Sequence, residues 1–128
     1  MADLKIIKTE YKIVFMSMYE EVDVFDDNID VKIVLPSNLV YSATLFTISN
    51  VKKLLEMGSA QYFWAEDMII VGDLTLMSIN KVIKDIIDED LIDSCMCMIG
   101  TTEKIFRGAN GFEDIKHHGS PTNSFINR

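Results

Sequence analysis

Cysteine, proline and histidine are scarce in this sequence, with two residues of each among 128. The histidines stand side by side as His117 and His118, and Asp114 precedes them as a carboxylate that could share a metal or orient a general base. A hydrolytic metal needs three rigidly held ligands, and no third histidine exists to complete the set. A metal-dependent hydrolase using these three residues stays an alternative, but the sequence favours a protein without metal, cofactor or catalytic residues.

Glycine and serine patterns of known chemistry are also missing. The six glycines form neither a dinucleotide-binding turn nor a Gly-Lys-Ser/Thr phosphate loop. No serine stands in the glycine-flanked elbow that exposes a nucleophile between a strand and a helix. The sequence therefore supports neither nucleotide binding nor nucleophilic hydrolysis, and it favours a binding protein over an enzyme.

Long apolar runs are absent. The longest, such as Ile-Ile-Val at residues 69–71, hold only a few residues, whereas a membrane-spanning helix needs about 20. The first eight residues interleave charged with apolar side chains and lack the continuous apolar core of a secretory signal. We therefore expect a cytoplasmic protein with no membrane span.

The two cysteines, Cys95 and Cys97, stand two residues apart. On a strand such residues point to the same face, which is awkward for a mutual disulfide and gives at best half of a metal site. Free cysteine is usually a small buried apolar residue. We expect both cysteines to serve that packing role.

Positive charge is in the minority, with 12 lysines and arginines against 20 aspartates and glutamates and a net charge of −8. This balance disfavours nucleic acid or an anionic membrane as the direct partner. Residues 1–106 hold 9 basic and 18 acidic groups, a balance of −9, whereas residues 107–128 carry +1. Such a body attracts cationic proteins, although its charge can equally serve solubility alone.

The composition itself is globular, with 48% hydrophobic and 25% charged residues in a chain long enough for one core. No internal repeat or Gly/Ser linker divides it. From Arg107 onward Gly, Asn, Ser, Pro and His dominate. We therefore predict a single α+β domain over residues 1–106 and a polar, mostly irregular tail over residues 107–128.

Strand-forming residues and alternation predict the sheet. The patterns indicate strands over residues 11–19, 31–35, 39–46, 62–71 and 95–99. The second and third of these flank a Pro-Ser-Asn turn and are expected to form an antiparallel hairpin. The fourth carries apolar or aromatic side chains on both faces, which is typical of a central strand.

Apolar residues at a spacing of 3.6 predict two helices. The first is capped by Thr47 or Ser49 and ends at Gly58, and the second is capped by Thr75 or Asp73. The order is then β-β-β-α-β-α-β. This order predicts an α+β fold with a mainly antiparallel sheet of four to five strands and two helices packed on it.

An acidic stretch follows the first predicted strand and contains Asp23, Asp26, Asp27 and Asp30. A calcium loop requires glycine at its sixth position, where Asn28 stands here, and glutamate at its twelfth, where none stands. We interpret the stretch as either a solvated acidic turn or a docking surface for a basic partner.

Glu66 and Asp67 interrupt the apolar fourth strand. Alternation places Glu66 on the face of Trp64 and Asp67 on the opposite face, so at least one carboxylate is expected beside bulky apolar groups. A half-buried carboxylate needs a partner. That partner is either an internal lysine or turn amide, or else a basic side chain of a bound protein for which Trp64 provides an anchor.

Three segments, residues 41–55, 62–71 and 79–87, resemble a family of small uncharacterised bacterial proteins, most clearly in the core Tyr-Phe-Trp-Ala-x-Asp-Met. Members of that kind are similar to immunity proteins encoded beside polymorphic or contact-dependent-inhibition toxins. The resemblance covers roughly residues 31–90. It implies a protein that binds and neutralises a cognate toxin domain, most often a basic nuclease.

The predicted partner-binding residues combine the acidic stretch with the aromatic and acidic part of the fourth strand. They are Asp23, Asp26, Asp27, Asp30, Trp64, Glu66 and Asp67. An acidic secretion chaperone is the alternative among binding proteins, but such chaperones usually open with a helix, whereas this chain opens with strand-forming residues. The sequence leaves open whether the protein is a monomer or a homodimer.

Overall fold

The computed structural model describes residues 10–58 and 61–118. Its five-stranded, mostly antiparallel sheet with two main helices packed on it confirms the predicted fold class and element order. The strands are β1 (Lys12–Phe15), β2 (Asn28–Val34), β3 (Leu39–Thr47), β4 (Met68–Val71) and β5 (Cys97–Thr101). The helices are α1 (Ile48–Met57), α2 (Leu76–Asp88) and the single turns α3 (Ile92–Cys95) and α4 (Thr102–Ile105).

The first three strands form an antiparallel meander. Ile33 of β2 pairs with Ile13 of β1 on one side and with Tyr41 of β3 on the other. Asn38, with a left-handed φ of 72°, completes the predicted turn between β2 and β3. β1 is shorter than predicted, because the chain turns away after Phe15 and forms a 3-10 turn at Tyr19–Glu21.

β3 is the centre of the sheet, because two strands share its second edge. β4 pairs in parallel with residues 44–47, and β5 pairs antiparallel with residues 39–42. The predicted central strand over residues 62–71 is therefore wrong, since only Met68–Val71 forms a strand and it lies at an edge. Asp67 interrupts the extended chain with a φ of 50°, and β5 occupies the rest of the edge that β3 offers.

The main core lies between one sheet face and α2. Ile13, Ile33 and Leu45 of the sheet and Ile79 and Ile83 of α2 are all 0% exposed. The apolar stripe predicted for the second helix thus faces the sheet, as its period of 3.6 residues requires. Burial of such side chains is the largest stabilising contribution to a domain of this size.

Both main helices begin at threonine caps that the sequence proposed. The Thr47 hydroxyl oxygen accepts a hydrogen bond from the Asn50 N–H at 3.2 Å, and that of Thr75 accepts one from the Ser78 N–H at 3.2 Å. α1 ends before Gly58, also as predicted. Within the described ranges, every helix is too short or too polar to cross a lipid bilayer.

A second, smaller apolar cluster lies on the opposite sheet face. Val34 and Val40 pack there against Ile115, which is 7% exposed, and against half-buried Phe106 and Phe112. Residues 107–118 contain one 3-10 turn at Phe112–Asp114 and no other regular element. This part of the predicted tail therefore packs on the sheet, while its part from residue 119 onward lies outside the described residues.

The chain changes from helix to strand between the two cysteines. Cys95 ends α3 and is half-buried, whereas Cys97 begins β5 and is exposed. The expectation that both are buried on one strand is wrong, because β5 begins two residues later than the pattern indicated. Both thiols are free.

Candidate protein-binding groove

The second sheet face is apolar at one end and polar at the other. Its polar end forms a groove of about 450 Å³, bounded by the strands and by the segment that leads into β4. We call this feature the acidic groove. Its polar lining residues are Asp30, Lys32, Ser42, Thr44, Glu66 and Asp67.

Strand alternation and cross-strand pairing place four of these residues. Asp30 pairs with Thr44 across β2 and β3, and Lys32 pairs with Ser42 two residues further along. Their neighbours in sequence, such as Val31, point into the main core, so the polar side chains point to the opposite face. The Thr44 hydroxyl donates a hydrogen bond to Asp30 Oδ1 at 2.5 Å and fixes that carboxylate. Asp30 thus belongs to a strand and not to the acidic turn.

Glu66 and Asp67 reach the groove from the segment before β4. The backbone carbonyl of Asp67 accepts a hydrogen bond from the Thr44 N–H at 3.1 Å, which attaches this segment to the centre of the sheet. Glu66 is exposed and Asp67 is half-buried. The expected burial of a carboxylate inside an apolar strand is therefore wrong, because the strand begins only after Asp67.

Neither of these two carboxylates is paired within the described part of the chain. The ion pairs and side-chain hydrogen bonds of residues 10–58 and 61–118 leave the side chains of Glu66, Asp67 and Lys32 without a partner. The groove contains three carboxylates against one ammonium group. A negatively charged concavity with unpaired acceptors attracts a cationic side chain from outside.

Two exposed aromatic residues lie in the same segment. Tyr62 and Trp64 are each 73% exposed, while Phe63 between them turns inward and packs edge-on against Phe46 with ring centroids 5.4 Å apart. Phe63 thus fixes the segment on the sheet and leaves its neighbours facing solvent. Exposed tryptophan and tyrosine on a fixed backbone are the residue types enriched in binding hot spots.

The carboxylates of the acidic turn have a different role, because they bond within the turn. Asp27 accepts hydrogen bonds from the N–H groups of Asp23 and Asn28 at 3.1 and 2.9 Å. Asp26 forms an ion pair with Lys53 of α1. The hydrogen bond from Lys53 holds the pKa of Asp26 below its usual value. The predicted partner-binding set therefore separates into this turn, the three carboxylates of the acidic groove, and the exposed Trp64, which does not line the groove.

The two histidines lie at the edge of the sheet. The His117 ring nitrogen Nδ1 accepts a hydrogen bond from the Ile13 N–H at 3.0 Å, and the His118 N–H donates to the Ile13 carbonyl at 2.8 Å. Asp114 accepts from the Asn110 N–H and bonds to neither histidine. Over the described ranges, no three residues of the ligand types His, Cys, Asp and Glu are grouped for a metal ion.

Sequence reasoning missed Lys32, Ser42 and Thr44 as parts of the site. The signal was present, since polar residues alternate with apolar ones along both β2 and β3. Alternation shows that these residues share a polar face. It does not show that the segment before β4 turns that face into a groove.

Comparisons with protein-family profiles, curated proteins and solved structures find no significant match to this chain. The resemblance to immunity proteins therefore stays a prediction.

Proposed function

We propose that this protein binds and neutralises a basic antibacterial toxin domain, and that the acidic groove is its main contact surface. The observation that carries the proposal is the unpaired state of Glu66 and Asp67 at the rim of an open, negatively charged concavity. The net charge of −8 supports it, because a negative field of this size accelerates encounters with cationic proteins.

The groove suits an arginine of the partner. A guanidinium group offers five N–H donors in a planar fork and forms two parallel hydrogen bonds with a carboxylate. Glu66 and Asp67 accept no side-chain hydrogen bond within the described residues, so both oxygens of each are available for such a fork. Asp30 Oδ1, in contrast, already accepts a hydrogen bond from Thr44. Nucleases hold phosphate groups with arginine and lysine, and a protein that occupies those side chains blocks their substrate.

The exposed aromatic residues complete the surface. Trp64 stands two residues before Glu66 in the same segment, and its exposed side chain offers a large apolar area to a partner. An interface with a desolvated aromatic anchor strengthens the adjacent charge pairs, because water is excluded from them. Tyr62 and Trp64 therefore provide affinity, whereas the carboxylates provide encounter rate and specificity.

The direct test of the function is growth rescue. The domain to test is the C-terminal domain encoded by any large reading frame immediately beside the gene, expressed in the same cells with and without this protein. We expect that domain alone to arrest growth and co-expression of this protein to restore it. A growth-arresting neighbour that this protein leaves fully active, or a purified protein that turns over a small molecule, would contradict the proposal.

Charge reversal in the groove tests the proposed surface. The variant D30K/E66K/D67K is expected to associate with the toxin domain about 10 to 100 times more slowly and to lose most of the salt dependence of its association rate. The physical reason is that three attractive charges at the contact become repulsive. Stopped-flow or surface-plasmon measurements over a range of salt concentrations provide both quantities.

A matched variant distinguishes the effect of charge in the groove from the effect of the protein's net charge on the association rate. E89K/E103K/E113K changes the net charge from −8 to −2, as the groove variant does, but at exposed glutamates outside the groove. We expect it to slow association only several-fold. Equal slowing by the two variants, or an unchanged rate in the groove variant, would remove the groove from the interface and leave the growth-rescue result untouched.

A further inference from the structure

The outer edge of β1 is closed by the chain's own C-terminal segment. Among the strands of residues 10–58 and 61–118, β1 pairs with β2 alone, on one side. On its other side the backbone N–H and carbonyl of Ile13 bond to His117 Nδ1 and to the His118 N–H, at 3.0 and 2.8 Å. An edge strand with unpaired backbone groups is a template for pairing with another chain, and these two bonds occupy the N–H and carbonyl of Ile13 that such a chain would use.

The rest of the segment is attached to the same strand. The Lys12 ammonium donates a hydrogen bond to the Phe112 carbonyl at 2.7 Å and lies 4.4 Å from the centre of the Phe112 ring. Ile115 is buried against Val34 and Val40. Residues 112–118 therefore form a strap across β1 that combines apolar burial with the two bonds to Ile13.

The protonation state of His117 is fixed by its partner. A backbone N–H is always a donor, so the Nδ1 atom that faces the Ile13 N–H must present a lone pair. The imidazole is then neutral, with its proton on Nε2. A protonated ring would direct a second N–H at the Ile13 N–H, so the closed strap and a charged His117 exclude each other.

The surroundings of His117 also disfavour its charge. The ring is half-buried, and Tyr11 of the segment before β1 packs edge-on against it at 6.3 Å. Burial, and after it the charges of His118 and Lys12, lower the pKa of His117. Asp88 of α2 acts on Tyr11, whose own pKa is raised by burial and then by that carboxylate. No acidic group bonds to the His117 ring within the described ranges.

We propose that His117 is a pH-sensitive latch that keeps residues 112–118 on the outer edge of β1 when neutral and releases that edge when protonated. Release leaves the N–H and carbonyl of Ile13 free to pair with another strand. The latch acts at the sheet edge formed by β1 and is independent of the proposed binding function of the acidic groove.

The direction of the pH effect follows from linkage. The unfolded chain takes up a proton at His117 near the ordinary pKa of 6.5, whereas the folded chain does so only at a lower pH. Between these two values the unfolded state binds more protons, so the free energy of unfolding falls as the pH falls. Above about pH 6.5 the neutral ring makes its full contribution to the free energy of unfolding.

Amide hydrogen exchange of the full chain tests the latch. We expect the protection factor of the Ile13 amide to fall at least about tenfold between about pH 7.5 and about pH 5, because the hydrogen bond to Nδ1 is lost. Nitrogen-15 spectra at the higher pH are expected to show the His117 proton on Nε2. A protection factor that is independent of pH, or a proton on Nδ1, would overturn the proposal.

Two variants assign the effect to one ring. His117→Asn keeps an acceptor oxygen at the position of Nδ1 but does not titrate, so we expect protection of Ile13 that no longer depends on pH. His118→Asn removes the neighbouring ring and keeps the backbone donor, so the pH dependence is expected to persist. A pH dependence that survives His117→Asn, or one that His118→Asn abolishes, would assign the titration to another group.

Discussion

Replacement of Ile83 with alanine is expected to lower the free energy of unfolding by about 3 to 4 kcal/mol. Ile83 is 0% exposed and lies on the face of α2 that packs against the sheet. The loss combines the transfer energy of the deleted methyl and methylene groups with a cavity that the surrounding β-branched side chains cannot refill. Urea denaturation followed by far-ultraviolet circular dichroism measures it, since Trp64 is too exposed to report unfolding well.

Met77 in the same helix provides the control. It is 68% exposed, so Met77→Ala is expected to change the free energy of unfolding by no more than about 0.5 kcal/mol. A loss below about 1 kcal/mol for Ile83→Ala, or losses of similar size for the two variants, would contradict the packing of α2 on the sheet.

Replacement of Thr47 with valine is expected to cost about 2 to 3 kcal/mol of stability, more than loss of an ordinary helix cap. Thr47 is 1% exposed, and its hydroxyl oxygen accepts hydrogen bonds from the N–H groups of Asp27 and Asn50 at 3.1 and 3.2 Å. Valine has nearly the same shape but no acceptor, so both donors lose their partner while the packing is retained. Urea denaturation, together with amide exchange at Asp27 and Asn50, measures both consequences.

Thr47→Ser distinguishes the contribution of the hydroxyl group to stability from that of the methyl group. It keeps the acceptor and removes one buried carbon, so we expect it to recover more than half of the stability that valine loses. Thr75→Val at the cap of α2 is expected to cost about 1 kcal/mol, because Thr75 is only half-buried and caps one helix without joining a second segment. Equal losses at Thr47 and Thr75 would show that the bond to the acidic turn contributes nothing.

Thr47 also contributes to the acidic turn, whose predicted role as a contact surface depends on whether its carboxylates are available to a partner. Asp23, Asp26 and Asp27 look in sequence like a solvated cluster of negative charge, but their hydrogen bonds and the ion pair with Lys53 hold the turn against α1. The sequence shows correctly that acidic residues are concentrated in this segment. The availability of those carboxylates depends on contacts between segments that are separate in the sequence.

Glu66 and Asp67 differ from the carboxylates of the acidic turn, because their side chains are unpaired within the described residues. The sequence selected them because charge inside an apolar run is unusual, and the structure places both in the groove with Asp30. The supposed reason, burial on a central strand, was wrong, because Asp67 has a left-handed conformation and the strand starts after it. Their charge within an apolar run made them candidate binding residues. Their exposure follows from the left-handed conformation of Asp67, which delays the start of the strand.

The amino-acid sequence by itself determined the two main helices, their threonine caps, the β2–β3 hairpin and the α+β class. Each of these features depends on side chains that are close together in the sequence, so periodicity and cap chemistry are sufficient to specify it. Only the tertiary structure decided that β4 and β5 share one edge of β3, that Asp30 meets Glu66 and Asp67, and that His117 bonds to Ile13. These pairings join distant segments, and the competition of all segments for the same sheet edges and the same core selects among them.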